Sequence, residues 1–173
     1  MTETKDNGLR RFIGWFCIAI VVVALDQATK WAIVQWVPLY GKVPLNSFIN
    51  LTHHQNTGAA FSFLAGASGW QRWFFVALAI VVSGIITVWM FRNRRDAPTV
   101  LMIGLSLVLG GAVGNVIDRA RLGFVTDFIQ VWFGSWPFPS FNVADAAISV
   151  GAAFLVIDAL FLSRSRPAVG VGR

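Results

Sequence analysis

Five carboxylates in or beside long apolar segments are the side chains of this chain best suited to chemistry. They are Asp26, Asp118, Asp127, Asp145 and Asp158. An ionisable residue in a membrane-spanning segment is costly to keep there, so it usually serves a function and has a polar partner. Because the whole chain has only eight acidic residues, this concentration favours a functional site.

Asp127 and Asp145 are the candidates for a pair of catalytic carboxylates. Each also has an ordinary structural interpretation: Asp127 could begin a short interfacial helix, and Asp145 could be the third residue of a helix capped by Asn142. Two carboxylates at one site share a proton, so the ionised one can activate water while the protonated one polarises a peptide carbonyl. The sequence leaves open whether the two meet and which of them is the base.

Two further polar groups stand near the same ends of apolar segments. Asp26 and Lys30 are spaced i, i+4, the favourable order for an ion pair on a helix, which could neutralise itself or support a substrate. Asn115, Asp118 and Arg119 close the third apolar segment. Asn115 and Arg119 could form a donor cluster facing a polar site between helices, or the three residues could simply be a polar helix end beside packing glycines.

Other catalytic or metal sites have little support in the sequence. Cys17 is the only cysteine, so no disulfide forms within the chain, and with the adjacent His53 and His54 it cannot build a tetrahedral zinc site. The motifs of serine hydrolases, zinc proteases and phosphate-binding loops are missing from the sequence. We therefore expect no metal and no cofactor.

Composition identifies the elements that must position these residues. Apolar residues make up 56% of the chain and charged residues 13%, and the mean hydropathy is +0.66. A helix needs about 20 apolar residues to cross a bilayer. Four segments meet that length, at about residues 12–31, 73–91, 100–117 and 143–162.

The basic residues predict how these spans are oriented. Nine of the fourteen Lys and Arg residues precede span one, join spans two and three, or follow span four, and all nine fall on one side of a four-span protein. Lys and Arg mark cytoplasmic loops. Both termini should therefore be cytoplasmic, and the net charge of +6 reflects topology, with no nucleic-acid partner expected.

The two loops on the other side carry structure of their own. Alternation over residues 45–52 and a turn at 56–58 predict a small sheet on the membrane surface, and the aromatic stretch at 128–138 predicts an interfacial helix or loop. The expected fold class is all-α integral membrane: four transmembrane helices, a small extracytoplasmic β platform and this interfacial element. We expect one domain over residues 1–173, with flexible tails at 1–10 and 165–173.

Five blocks of sequence carry a family resemblance. They read DQATK at 26–30, NTGAAF at 56–61, GAVGNVIDR at 111–119, VTDF at 125–128 and FNVAD at 141–145. In this order, between four apolar segments, they resemble the bacterial lipoprotein signal peptidases, also called type II signal peptidases. The resemblance spans about 120 residues and is highly specific.

The resemblance implies an aspartic endopeptidase of the bacterial inner membrane with its site at the outer face. By resemblance, Asp127 and Asp145 are catalytic. The implied substrate-binding or supporting residues are Asp26, Lys30, Asn56, Gly58, Asn115, Asp118, Arg119 and Asn142. The implied substrates are diacylglyceryl-modified prolipoproteins, met within membrane lipid and cleaved before the lipidated cysteine. The family needs no metal and is blocked by the cyclic peptide globomycin.

Two further expectations concern the use of this site. Residues 48–61 and 128–139 should clamp the substrate from above. The alternative function is a small proton-coupled membrane transporter, which would also keep aspartates in its helices. A transporter would more often show inverted repeats or helices broken at mid-membrane, whereas here the acids cluster near one surface.

Overall fold

Four long helices form the body of the protein. The computed structural model describes residues 3–58 and 70–162. All four helices are long and apolar enough to cross a membrane, which confirms the predicted number of spans. They are α1 (Glu3–Trp36), α2 (Trp70–Arg92), α3 (Thr99–Leu122) and α4 (Val143–Ile157), and a π-helical turn at Asp158–Leu162 extends α4.

The first helix differs from its prediction at both ends. It begins at Glu3, so residues 3–10, expected to be a flexible tail, are helical, and it continues five residues beyond the predicted end at position 31. The added N-terminal turns are mostly polar and carry little hydropathy signal, whereas the added C-terminal residues 32–36 are mostly apolar but follow the polar stretch at 26–30, where the span was expected to end. The predicted flexible tail at 165–173 lies outside the described residues.

A four-stranded antiparallel sheet covers one end of the bundle. Its strands are β1 (Lys42–Pro44), β2 (Ile49–Asn56), β3 (Val125–Phe133) and β4 (Trp136–Pro137), in that order. The predicted sheet is thus confirmed, although β2 lies further along the chain than the alternation at 45–52 indicated. The prediction of an interfacial helix or loop at 128–138 is wrong, since this stretch forms most of β3, a turn and β4.

The sequence of β3 explains why it is a strand. Val125, Thr126, Ile129 and Val131 are β-branched and favour extended backbone. Its backbone pairs with β2, so that residue 127 lies opposite residue 54 and residue 125 opposite residue 56. Gly134, with φ of 63°, then makes the turn into β4. This pairing places residue 127 beside the end of β2.

Helix α3 lies at the centre of the bundle and packs against the other three helices. Its small residues permit the close approach: a Cβ built on Gly110 would lie 2.7 Å from the Ala19 carbonyl oxygen of α1. A Cβ on Gly111 would collide with the Ala144 carbonyl oxygen of α4. The small-residue spacing of α3 therefore sets the distances between helices, as in other membrane bundles.

Helix termini meet the sheet at this same end. Helix α3 ends at Gly123, whose φ of 87° gives a left-handed C-cap. Helix α4 begins after Asn142, which forms a reciprocal capping box with Asp145. The polar ends of both helices and the start of β3 therefore enclose one region, where the predicted site residues lie.

Candidate active site

Asp127 is buried in strand β3 and held by two side-chain amides. Only 2% of its surface is exposed. Asn142 Nδ2 donates to Asp127 Oδ1 at 2.7 Å, and Asn56 Nδ2 donates to Asp127 Oδ2 at 3.0 Å. The interpretation of Asp127 as a helix N-cap is wrong, because the residue lies within a strand. Both of its oxygens therefore have fixed donors from other elements.

Asp145 occupies the third position of α4, as the sequence predicted. Its backbone N–H donates to Asn142 Oδ1 at 2.9 Å, and its Oδ2 accepts from Asn142 N at 3.2 Å. Its Oδ1 accepts from Asn115 Nδ2 at 2.8 Å. Asn142 thus contacts both carboxylates, which brings Asp127 and Asp145 into one hydrogen-bonded unit.

Burial and charge distinguish Asp127 from an ordinary aspartate. Burial raises the pKa of Asp127 from 3.8 to about 6, and the negative charge of Asp145 adds to this increase. The hydrogen bonds from Asn56 and Asn142 and the charge of Lys30 oppose it. The site therefore holds one carboxyl group that retains its proton at a higher pH than usual.

A buried ion cluster lies directly behind the pair. Lys30 Nζ is 2.8 Å from Asp26 Oδ2 and 3.0 Å from Asp118 Oδ2, and it donates to Asn115 Oδ1 at 3.1 Å. The predicted ion pair between residues 26 and 30 is confirmed. Asp26 Oδ1 also accepts from the backbone N–H of Ala144 at 2.9 Å, so α1 fixes the first turn of α4.

Sequence reasoning missed Gln27 and the backbone of Thr126 in this cluster. Gln27 Nε2 lies 2.9 Å from Asp118 Oδ1 and 3.2 Å from both Asp26 Oδ2 and the Gly114 carbonyl oxygen. Thr126 N donates to Asp118 Oδ2 at 3.2 Å. The only available signal for Gln27 was its place beside Asp26 in the first sequence block.

Gly58 and Arg119 lie next to the pair formed by Asp127 and Asp145, on the side that faces α2. Gly58 N donates to Asn56 Oδ1 at 2.8 Å, which leaves the Asn56 amide nitrogen directed at Asp127. The φ of Gly58 is 88°, a conformation that favours glycine. The Arg119 guanidinium lies over the ring of Phe75 at 5.3 Å and within electrostatic range of the aspartates at 118, 127 and 145.

The remaining candidates lie elsewhere. His53 and His54 lie in β2 and bond in different directions, to the Val37 carbonyl oxygen and to Ser140 Oγ, both at 2.9 Å. Asp158 is buried in the π-helical turn at the far end of α4. Within residues 3–58 and 70–162, no three His, Cys, Asp or Glu side chains are grouped so that they could hold a metal ion.

Comparison with known proteins identifies the family of this fold and site. The family described as "Signal peptidase (SPase) II" matches residues 18–161. The chain belongs to the signal peptidase II family. A relative from Photorhabdus laumondii named "Lipoprotein signal peptidase" is 45% identical, over 96% of each chain. One of the same name from Pseudomonas syringae pv. tomato is 48% identical, over 90% of each chain.

Solved structures agree with this membership. One bacterial membrane enzyme, solved in meso at 1.9 Å resolution, superposes with a TM-score of 0.74 at 34% identity and covers 86% of this chain and 93% of its own. A second, at 2.3 Å resolution, gives a TM-score of 0.76 at 31% identity, covering 92% and 94%. Fold and sequence therefore agree that the chain is a multi-pass membrane peptidase of the signal peptidase II family. Neither supports the alternative function, a proton-coupled transporter.

Proposed function

We propose that this protein is an aspartic endopeptidase that removes the signal peptide from diacylglyceryl-modified prolipoproteins, cleaving before the lipidated cysteine. The observation that carries the proposal is the hydrogen-bonded unit in which Asn142 contacts both Asp127 and Asp145. The relatives named "Lipoprotein signal peptidase" support the substrate class. Lipid-anchored substrates would reach such a site by diffusing in the bilayer.

The environments of the two carboxylates favour different roles. Asp145 sits at the N-terminus of α4 and accepts hydrogen bonds from Asn115 Nδ2 and Asn142 N, an arrangement that suits the ionised form. Asp127 is buried, and its pKa is raised to about 6, which suits the protonated form. We therefore assign Asp145 as the general base and Asp127 as the general acid.

These roles give a balanced hydrolysis. Asp145 removes a proton from water as the water oxygen attacks the scissile carbonyl carbon, and the Asp127 proton moves to the carbonyl oxygen. When the resulting gem-diol collapses, Asp127 takes back a hydroxyl proton and Asp145 gives its proton to the departing amino group. Both carboxylates then return to their starting states.

The surrounding residues hold this pair in place. Asn56, Asn142 and Asn115 fix the carboxylate oxygens, and Arg119 supplies positive charge at the edge of the site. Lys30, with Asp26 and Asp118, orients Asn115 from behind. Hydrogen-bond donors that are already in place stabilise the transition state strongly, because they need not reorient during the reaction.

The location of the site follows from the charge distribution. The pair lies at the sheet end of the bundle. At the opposite end, near the start of α1 and between α2 and α3, lie six basic residues of the described part of the chain: Lys5, Arg10, Arg11, Arg92, Arg94 and Arg95. By the positive-inside rule this opposite end is cytoplasmic. We therefore place the protein in the bacterial inner membrane with both termini inside and the site at the outer face.

Two segments of the sheet are proposed to contact the substrate from above. They are β2, within residues 48–58, and the β3–β4 hairpin that includes residues 128–139; residues 59–61 of the first segment lie outside the described part of the chain. The hairpin carries exposed rings at Phe133, Trp136 and Phe138, which suit contact with a lipid-bearing peptide.

A cleavage assay in detergent micelles tests the function. The substrate is a diacylglyceryl-modified prolipoprotein, and wild type is compared with Asp127→Asn and Asp145→Asn. We expect wild type to cut before the lipidated cysteine, globomycin to block it, and both variants to be folded but inactive. Asp158→Asn, which removes a buried carboxylate from the other end of α4, should keep its activity.

The assay separates two kinds of failure. If a folded Asp127→Asn or Asp145→Asn protein keeps near-normal activity, the assignment of the pair is wrong. If wild type cleaves the same protein without its diacylglyceryl group equally well, the proposed substrate class is wrong, whatever the result for the two variants.

A further inference from the structure

Phe75, on the first turns of α2, contacts two residues at the edge of the candidate site, Gly58 and Arg119. A Cβ built on Gly58 would lie 2.9 Å from Phe75 Cε2, so the edge of the ring lies directly against the turn that carries Asn56. The Arg119 guanidinium carbon lies over the same ring, 5.3 Å from its centroid.

The guanidinium of Arg119 needs a contact such as the one with Phe75 to hold it in position. Its Nε is buried and has no hydrogen-bond partner among the described residues. Three carboxylates, at positions 118, 127 and 145, act on its charge. Arginine prefers to form paired hydrogen bonds with a carboxylate, and such a pair with Asp127 or Asp145 would occupy the oxygens that must handle protons.

The face of an aromatic ring can hold the Arg119 guanidinium in a different way, by a cation–π contact. The negative face of a benzene ring attracts a guanidinium without providing acceptor oxygens. Phe75 can therefore keep the positive charge near the pair while leaving the carboxylates free. Helix α2 is itself tied to α3 beside this point, since Arg72 donates to the Ala120 carbonyl oxygen at 2.6 Å.

We propose that Phe75 is a positioning residue for the peptidase reaction, holding Arg119 by its ring face and bracing the Asn56–Gly58 turn by its ring edge. This inference rests on the proposed function of Asp127 and Asp145. Phe75 acts through its neighbours and transfers no proton itself. Its loss should therefore slow the chemical step more than it weakens substrate binding.

The sharpest test changes the electron density of the ring and little else. Phe75 is replaced by phenylalanines carrying one, two and three ring fluorines, which weaken the negative face stepwise. We expect kcat to fall with each fluorine, by about tenfold in total, at nearly constant KM and melting temperature. A kcat that stays level across the series would overturn the proposal.

Ordinary substitutions provide a second, independent readout. Phe75→Leu should lower kcat, and Phe75→Trp, which keeps an aromatic face, should restore much of it. Phe161→Leu makes the same change at an exposed position at the far end of the protein and should leave kcat unchanged. If Phe75→Leu and Phe75→Trp lose kcat equally, the ring face is not what matters.

The outcome is distinguishable from failure of the proposed function. An active Asp127→Asn or Asp145→Asn protein would remove the reaction to which this role belongs. With both aspartate variants inactive and the fluorinated series level, only the role of Phe75 fails.

Discussion

At the scale of single residues, the two aspartates differ because their surroundings differ. Asp127 is enclosed in a strand and held by side-chain amides, whereas Asp145 stands at a helix N-terminus with a backbone donor. Burial raises the pKa of Asp127 to about 6, and a carboxyl group that keeps its proton in this way suits the acid of a reaction that uses both an acid and a base.

The first prediction concerns the pH dependence of catalysis. With Asp127 as the acid, kcat/KM should fall as pH rises through its pKa of about 6 in the free enzyme. The hydrogen bond from Asn56 lowers the pKa of Asp127, so Asn56→Leu should raise that pKa and move the alkaline limb to higher pH. Rates on a lipidated substrate from pH 4 to 9 measure the limb.

Asn93→Leu, in the turn after α2 at the other end of the protein, serves as the matched control and should leave the limb in place. A rate that is constant over the whole range, or a limb that moves to lower pH in Asn56→Leu, would contradict the assignment of Asp127 as the acid.

The second prediction concerns stability. Because folding raises the pKa of Asp127, its contribution is most favourable below pH 4 and is lost as pH rises through about 6. Asp127→Asn removes this penalty and should stabilise the protein at pH 8 by up to about 3 kcal/mol, with little gain at pH 4. Melting temperatures in detergent at the two pH values provide the measurement.

Asp96→Asn is the control for this experiment, since Asp96 is exposed in the turn between α2 and α3 and its loss should give no such difference. An equal change for Asp127→Asn at both pH values would mean that burial of its charge does not limit stability.

At the scale of secondary-structure elements, the features that depend on local sequence pattern were predicted from the sequence. Hydropathy located four spans, the i, i+4 spacing predicted the pair of Asp26 and Lys30, and the cap sequence predicted the start of α4. Strand β3 was predicted wrongly as an interfacial helix or loop. Gly134 and Pro137, which follow the strand, dominate the local pattern of the 128–138 stretch, while the strand itself depends on pairing with β2, about 75 residues earlier in the chain.

The candidate site shows the same division between local and distant contacts. The bond between Asn142 and Asp145 spans three residues and could be predicted, whereas the bond between Asn56 and Asp127 spans 71. The latter exists because the register of β2 on β3 places the end of one strand beside the start of the other. No short spacing in the sequence carries that information, so only the resemblance indicated Asn56.

The third prediction tests the close packing of α3 behind the site. A Cβ on Gly114 would lie 2.7 Å from Asp26 Oδ2, so Gly114→Ala should push the buried carboxylate away from Lys30. We expect a loss of about 1–3 kcal/mol in stability, as for other overpacked cores, and reduced cleavage activity.

Gly84→Ala in α2 is the matched control, because a Cβ there meets nothing within 4 Å. It should leave stability unchanged or slightly higher, since alanine favours a helix more than glycine does. Equal effects of the two substitutions on melting temperature would show that close contact at Gly114 is not the cause.

At the scale of the whole molecule, the two ends of the helix bundle carry different polar and charged residues. One end carries the sheet, the buried ion cluster and the candidate aspartates. At the other end, Arg11 bonds to the carbonyl oxygens of Arg95 and Ala97, which ties the start of α1 to the turn between α2 and α3. This asymmetry is what a membrane protein needs to be inserted in one direction, because arginines resist transfer across the bilayer.

The last prediction follows from that asymmetry. Cys17 is the only cysteine, so Cys17→Ala gives a background in which a single new cysteine reports its own side of the membrane. Ser47, exposed beside the sheet, and Asp96, exposed at the other end, are the positions to change to cysteine. In intact spheroplasts, a membrane-impermeant maleimide should label Ser47→Cys and spare Asp96→Cys. Lysis should make both react, which controls for thiol reactivity, and the reverse pattern in spheroplasts would place the aspartates on the cytoplasmic side, where an exported prolipoprotein could not meet them.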